Sequence, residues 1–277
     1  MAQPATDTLS GGDVRAFTSY AVNDGVLRPY GQVPADDRQV MFHDQRGAAD
    51  PPALQREGFC LVRHPTSVTD FSDHDQIITR YLPEIGELVR HLTRAPVVFL
   101  QQNWVFRGDD RQIATEAVNE RNRVSTMKTH GVLHADYYEH ETAEALASMS
   151  MKAVGVTQRP RGRLLGINTW RSISPPPQDR PFAVLDRRTL DAADFVPAAI
   201  EGPNAKLTAL RASYNKRHRF CWWSDMTQDE VLVFLQYEQG RGPTSTVMHT
   251  AFSDPRCPAG TPPRQSIEAR AYVFLDD

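Results

Sequence analysis

The sequence predicts a mostly β fold with bracing helix, an antiparallel barrel or sandwich of short strands set behind one long helix. Three observations carry this. Short apolar runs of strand composition recur down to residue 275, a single clear helical period precedes most of them, and no linker, internal repeat or low-complexity run divides the chain.

In chain order, residues 1–70 are polar and broken by Pro and Gly, with the strand-like Phe59-Cys60-Leu61-Val62 inside them, and are expected as an irregular arm with some ordered strands. From Ser72 on, Ile77, Ile78, Tyr81, Ile85, Leu88, Val89 and Leu92 recur at steps of three and four, which predicts a helix over 73–94 that Ala95-Pro96 ends. Pro83 is placed to kink it. Pro96-Val97-Val98-Phe99-Leu100 opens a strand running to about Val105, and Arg107-Gly108-Asp109-Asp110 reads as the turn that closes it. Further strands are read at 164–170, 182–185, 219–223, 230–237, 246–252 and 266–275, and Ser174-Pro175-Pro176-Pro177 forbids regular pairing after the first of them.

Composition removes several function classes. With 40 % hydrophobic and 23 % charged residues the chain is neither a disordered tail nor a coiled coil. Thirty-one Lys and Arg against 34 Asp and Glu leave a charge of -3, no footprint for nucleic acid or an anionic membrane. Cys60, Cys221 and Cys257 are scattered and odd in number, so they read as reduced thiols in a cytoplasmic protein. No basic run followed by an apolar stretch opens the chain, and no segment approaches a membrane span; a soluble, unexported protein is expected.

The chemistry concentrates in a few residues. His134-Ala135-Asp136 is an HxD triplet, and residues two apart in an extended segment point to one face, so an imidazole and a carboxylate converge. Alone, the triplet is more often a surface hydrogen-bonded pair. His249 in the apolar run Val247–Phe252 supplies a second imidazole, and two His with one carboxylate form the facial triad that holds Fe(II) while leaving positions open for a co-substrate and dioxygen. Arg264 follows His249, in the order used by 2-oxoglutarate oxygenases, where a guanidinium clamps the co-substrate's remote carboxylate. Alternation in the last strand puts Arg264, Ser266, Glu268, Arg270 and Tyr272 on one face. Arg264-Gln265-Ser266 has the RxS form that holds the far carboxylate; Arg270 either binds the near one or pairs with Glu268. Asn168 and Arg171 are candidates for co-substrate or substrate, Trp170, Tyr137 and Trp222 for the substrate pocket, with Tyr138, His130 and Asn103 as weaker neighbours. The bland alternative for the tryptophans is core, and for Arg171 stacking on Trp170.

Several stretches together resemble the group containing the cephamycin 7-alpha-hydroxylase component and fungal hydroxylase/desaturase proteins of natural-product clusters. They are Asn168-Thr169-Trp170-Arg171, Asp179–Asp186, Trp222-Trp223 with Met226-Thr227 and Asp229-Glu230, His249–Pro255, and Pro263–Arg270. The likeness covers roughly residues 95–275 in the group's order. It departs at Ser172, where the group has proline, and at Leu185, where it has cysteine, so no substrate is carried across. The resemblance implies an Fe(II)/2-oxoglutarate oxygenase on a double-stranded β-helix of the jelly-roll/cupin-like kind, with His134, Asp136 and His249 on iron, Arg264 on 2-oxoglutarate, and O2 as second co-substrate.

The expected function is oxidation of a C–H bond in a small natural-product or amino-acid-derived molecule by hydroxylation, desaturation or oxidative cyclisation. A non-catalytic jelly-roll binder would predict a defective triad or a missing arginine. A metal-dependent hydrolase or isomerase would need no arginine clamp. Because His134 and His249 must meet on one metal, residues 71–277 are expected as a single domain, with 1–70 packed on it; oligomeric state is not read.

Overall fold

Side-chain alternation decides how the N-terminal region is used. The computed structural model describes residues 12–108, 124–128, 131–202 and 205–276. Strand β1 (Val14–Ala21) buries Val14, Ala16, Thr18 and Tyr20 and exposes Arg15 and Phe17, the period of a half-buried strand. After the short β2 (Arg28–Pro29), β3 (Ala35–Asp44) pairs antiparallel with all of β1, from Val14 opposite Phe42 to Ala21 opposite Ala35. β4 (Phe59–Arg63) belongs to a different sheet. From Val14 onward, the region expected as an irregular arm therefore contributes strands to both sheets. Its pattern was faint because Phe42 is the only buried residue of β3, so no apolar alternation announces that strand.

The predicted helix starts at Asp73, whose carboxylate accepts from the backbone N–H groups of Asp75 and Gln76. Pro83 does not kink it in mid-course. A π turn, Ile77–Tyr81, widens the helix just before helix α1 (Leu82–Thr93), and Leu82 donates to the Ile77 carbonyl, so the proline falls at the start of α1, where its missing N–H matters least. Arg94, in the left-handed conformation, ends the run. Ile77, Tyr81, Leu82, Ile85, Leu88 and Val89 are buried, and Gly86 lets α1 approach closely: a Cβ there would lie 3.2 Å from Leu100.

Beyond α1 come β5 (Val97–Leu100), β6 (Trp104–Gly108), β7 (Val124–Lys128), β8 (His134–Ala135) and helix α2 (His140–Ala153). Then follow β9 (Arg163–Ser172), β10 (Phe182–Leu185), β11 (Phe195–Gly202), β12 (Ala205–Ala212), β13 (Phe220–Trp222), β14 (Glu230–Glu238), β15 (His249–Ala251) and β16 (Ser266–Leu275). Helix α2 and the β11–β12 hairpin carry no signal read from the sequence; α2 buries only small or flexible residues, Ala143, Ala147, Ser150 and Met151. His130 and the Asp109-Asp110 part of the expected turn lie outside the described residues, and Arg107 and Gly108 belong to β6.

The strands form a nine-stranded sheet, β1-β3-β13-β10-β15-β8-β12-β11-β2, and a seven-stranded one, β4-β14-β9-β16-β6-β7, in which β5 also pairs β16. The architecture is the predicted jelly roll. Phe182, Val184, Val233, Phe234, Ile267 and Ala269 belong to the main core, which extends to α1. The nine-stranded sheet curls back on itself: Ser19 donates to Gly131 O at 2.9 Å, Leu133 donates to Ser19 O at 3.0 Å, and a second core holding Ala16, Phe42, Leu185, Phe220 and Phe252 is enclosed. Among the described residues, no helix is long and apolar enough to cross a membrane.

Candidate active site

Strands β8 and β15 run antiparallel with His134 directly opposite His249. Such cross-strand pairs share a face with Cβ atoms about 4.5–5.5 Å apart, so two distant histidines become neighbours. Their rings lie 4.3 Å apart between centroids. Asp136 completes the cluster, its Oδ1 being 3.9 Å from His134 Nε2 and 4.0 Å from His249 Nε2. Bonds of about 2 Å at near right angles bring facial ligand atoms to about 3 Å of one another, so the three donors draw in by about 1 Å around a metal.

The tautomers point the same way. His134 Nδ1 lies 2.8 Å from the Val132 carbonyl, an acceptor, which places the hydrogen on Nδ1 and the lone pair on Nε2; Val247 O is in the same position for His249, at 3.5 Å. His249 Nε2 is buried and has no hydrogen-bond partner among the described residues, an arrangement that is costly unless another group takes the lone pair. Burial, then the neighbouring His249, pushes His134 down to about 3, and burial pushes His249 down to about 4. Burial alone would raise Asp136, but Arg270 and the two imidazoles outweigh it and hold the carboxyl well below the usual range. At neutral pH the donor set is two neutral imidazoles and one carboxylate, which fits Fe(II).

The far side of Asp136 is already engaged. Asn168 Nδ2 donates to Oδ2 at 3.0 Å and Arg270 Nη2 pairs with it at 2.9 Å, which leaves Oδ1 for a metal. Asn168 and Arg270 are themselves cross-strand partners on β9 and β16. Arg270 also pairs with Glu268 at 2.8 Å, so of the two expectations for it the pairing is the one seen, extended to the triad carboxylate. Arg264 is 1 % exposed, stacks over Trp170 at 5.0 Å, and donates from Nη1 to Ser266 Oγ at 2.9 Å. Burial, then the nearby Arg107, pushes it down to about 9, still protonated at neutral pH. Trp170 stacks on Phe182, whose ring is 5.5 Å from His249, so an unbroken aromatic wall joins the triad to Arg264.

Residues 8–274 match the family model described as the oxidoreductase/YMDC permease-like domain. The chain belongs to that family. It is 26 % identical to the alpha-ketoglutarate-dependent dioxygenase phiK of Fungal sp. (strain ATCC 74256), covering 95 % of this chain and 97 % of that one. It is 25 % identical to the hydroxylase/desaturase CTB9 of Cercospora beticola, over 87 % of this chain and 78 % of that one. Among solved structures it is similar to the iron and alpha-ketoglutarate-dependent endoperoxidase NvfI, with a TM-score of 0.77, 20 % identity, and 97 % and 100 % of the two chains covered.

Three residues of this family member expected at the substrate lie elsewhere. Arg171 follows Trp170 on β9, and strand alternation sends it to the opposite face, where it is fully buried, donates to Gln228 O and His64 O, and lies 5.3 Å over the Tyr81 ring. Trp222 sits in the second core, edge-on to Phe252 and under Arg256, beside a separate cavity of about 600 Å³ that also touches Asp44 and Gln178. Tyr137 turns into a third cluster with Tyr237 and Tyr272; a Cβ on Gly166 would come within 2.3 Å of its hydroxyl, so that glycine is what lets it seat. Asn103 is exposed between β5 and β6.

Two residues near the triad were missed. Arg107, read as a turn, is 8 % exposed in β6 opposite Ser266. Carrying the strand period from Val105 to Arg107 would have put it on the inner face. Tyr30 comes from the N-terminal region, its ring edge-on to His134 at 6.3 Å and its phenol pushed up to about 12, chiefly by burial. No local pattern marks it, because the contact depends on how residues 28–32 lie against the sheet.

Proposed function

We propose that this protein is an Fe(II)- and 2-oxoglutarate-dependent oxygenase that oxidises a C–H bond of a small natural-product or amino-acid-derived molecule; its relatives named alpha-ketoglutarate-dependent dioxygenase and hydroxylase/desaturase support the reaction class. The observation that carries the reading is the convergence of His134 Nε2, His249 Nε2 and Asp136 Oδ1 in a buried corner that Phe182 and Trp170 connect to Arg264. His134, Asp136 and His249 hold the metal. Arg264 and Ser266 receive the remote carboxylate of 2-oxoglutarate, while Asn168 and Arg270 fix the rotamer of Asp136 through its Oδ2. Trp170 and Phe182 keep water from the space between metal and arginine, and Tyr30 bounds it on the side of His134. The chemistry supplied by Fe(II), 2-oxoglutarate and O2 when bound is C–H oxidation coupled to conversion of the co-substrate to succinate and carbon dioxide. The chain's own part is placement: which hydrogen is held nearest the metal decides between hydroxylation, desaturation and ring closure. We place the enzyme in the cytoplasm, on the reduced-thiol pattern of its cysteines.

Anaerobic addition of Fe(II) and then 2-oxoglutarate to the purified protein is expected to give the weak visible charge-transfer band of a metal-chelated 2-oxo acid. Exposure to air should then release succinate. Absence of both the band and succinate would sink the reading.

A further inference from the structure

A cavity of about 680 Å³ lies at the edge of the seven-stranded sheet where β9 begins and β14 and β16 end. Register fixes which side of the sheet it is on. Glu238 stands opposite Leu165, and Leu275 opposite Arg163, and opposed residues of an antiparallel pair share a face. By strand alternation Arg163 and Leu165 share the face of Arg171, not that of Asn168 and Trp170, so the floor of this cavity is turned away from the metal corner.

Three arginines meet one carboxylate there. Arg163 Nη1 donates to Glu238 Oε1, Arg187 Nη1 donates to Oε2 at 3.2 Å, and Arg241 Nε lies 3.5 Å from Oε1. Glu238 is the only carboxylate among the described residues lining the cavity, so three guanidiniums less one carboxylate leave two positive charges in excess around it. A structural ion pair needs one of these arginines, and Arg187 is that one: its remaining donors go to the Gln55 carbonyl at 2.7 Å and the Arg56 carbonyl at 3.3 Å. Arg188, which also lines the cavity, is taken by Asp186 at 2.7 Å and Glu57 at 2.8 Å. Arg163 and Arg241 differ. Apart from Glu238, neither guanidinium has a hydrogen-bond partner among the described residues, so each keeps N–H donors for a ligand. Much of the remaining wall is apolar, from Leu54, Leu165, Leu190, Leu235 and Leu275. Two excess charges on planar guanidiniums match a phosphate monoester, which carries about −1.5 to −2 and several acceptor oxygens, whereas a carboxylate brings a single charge. The leucines match an apolar group esterified to it.

We infer that this cavity is a binding site, separate from the metal corner, for a phosphate monoester with an apolar body, held by Arg163 and Arg241. It stands independently of the oxygenase reading. The test is calorimetric titration of the full chain with hexyl phosphate, inorganic phosphate and hexanoate, each with and without saturating 2-oxoglutarate. Hexyl phosphate should bind at one site per chain, about ten-fold or more tighter than either of the others, because one lacks the apolar body and the other half the charge. Saturating 2-oxoglutarate should not displace it. Arg163→Gln and Arg241→Glu should each weaken hexyl phosphate about ten-fold or more, while Arg217→Gln, an exposed arginine paired with Asp191 elsewhere on the surface, should leave it unchanged. No binding of hexyl phosphate overturns the inference, as does wild-type affinity in Arg241→Glu or displacement by 2-oxoglutarate, which would move the ligand to the metal corner. Equal affinity for inorganic phosphate or for hexanoate overturns the assigned ligand class, and equal loss in Arg217→Gln would reduce the binding to general surface charge. The Arg241 side chain is 70 % exposed, so its substitution leaves the fold intact and decides the matter alone if Arg163→Gln does not fold.

Discussion

Among the described residues, two buried histidine–aspartate clusters stand in contrast, and only the one with His134, Asp136 and His249 has the chemistry of a metal site. In the first, His218 Nε2 lies 3.1 Å from Asp194 Oδ2 and Nδ1 lies 3.2 Å from the Tyr20 hydroxyl, while Asn215 donates to both carboxylate oxygens. Each ring nitrogen and each carboxylate oxygen has a partner, so the cluster is a satisfied polar network that ties the β12–β13 connection to β1. In the second, His134 and His249 turn each Nδ1 to a backbone carbonyl and aim Nε2 at a common point, and Asp136 is held only from its Oδ2 side. A buried His–Asp pair is structural when its hydrogen bonds close among themselves. It is a ligand set when they close everywhere except toward one point.

The comparison can be broken most directly by removing each carboxylate in turn. Asp136→Ala should reduce turnover to background and abolish stoichiometric iron binding while the protein stays folded. Asp194→Ala should keep iron and activity per folded molecule but lose about 3–5 kcal/mol in denaturant unfolding, the cost of breaking a buried charged network. Full activity in Asp136→Ala would show that the wrong cluster was chosen.

The two buried arginines flanking Trp170 sharpen the contrast at a smaller scale. Arg264→Ala should weaken 2-oxoglutarate binding by about 2–5 kcal/mol, measured as Kd, because a buried charge partner is lost. Arg171→Ala should leave the Kd for 2-oxoglutarate and the KM for substrate unchanged and lower stability by about 1–3 kcal/mol, because the Gln228 and His64 carbonyls lose their donor. The smallest contrast is between the two amides. Asn168→Ala, which leaves Asp136 Oδ2 to Arg270 alone, should reduce iron affinity about 10- to 100-fold by metal titration, whereas Asn215→Ala should change melting alone, by about 1 kcal/mol of stability.

These contrasts also show where sequence reading reaches and where it stops. The triad was legible because its chemistry is rare: an HxD on an extended segment, a second histidine in an apolar strand, and an arginine after it. Strands β9, β10, β13, β14 and β16 were legible because they are apolar over most of their length. Arg171 was misplaced because a motif names adjacent residues together, whereas a strand sends them to opposite faces; Trp170 faces Phe182 and Arg264, and Arg171 faces Tyr81 and the His64 and Gln228 carbonyls. The hold of Asn168 and Arg270 on Asp136 depends on the register of β9 against β16, which no local pattern states. Strands β1 and β3 were faint because one face of their hairpin is water-exposed and β3 buries only Phe42, whereas Tyr30 was invisible because its partner, His134, lies far along the chain.

The central claim is that three particular atoms meet on one metal. Crystals grown anaerobically with Fe(II) and measured across the iron absorption edge test it most directly. The account predicts a single anomalous peak bonded to His134 Nε2, His249 Nε2 and Asp136 Oδ1, with Asp136 Oδ2 still held by Asn168. A peak between His218 and Asp194, or none within bonding distance of His249, would contradict it.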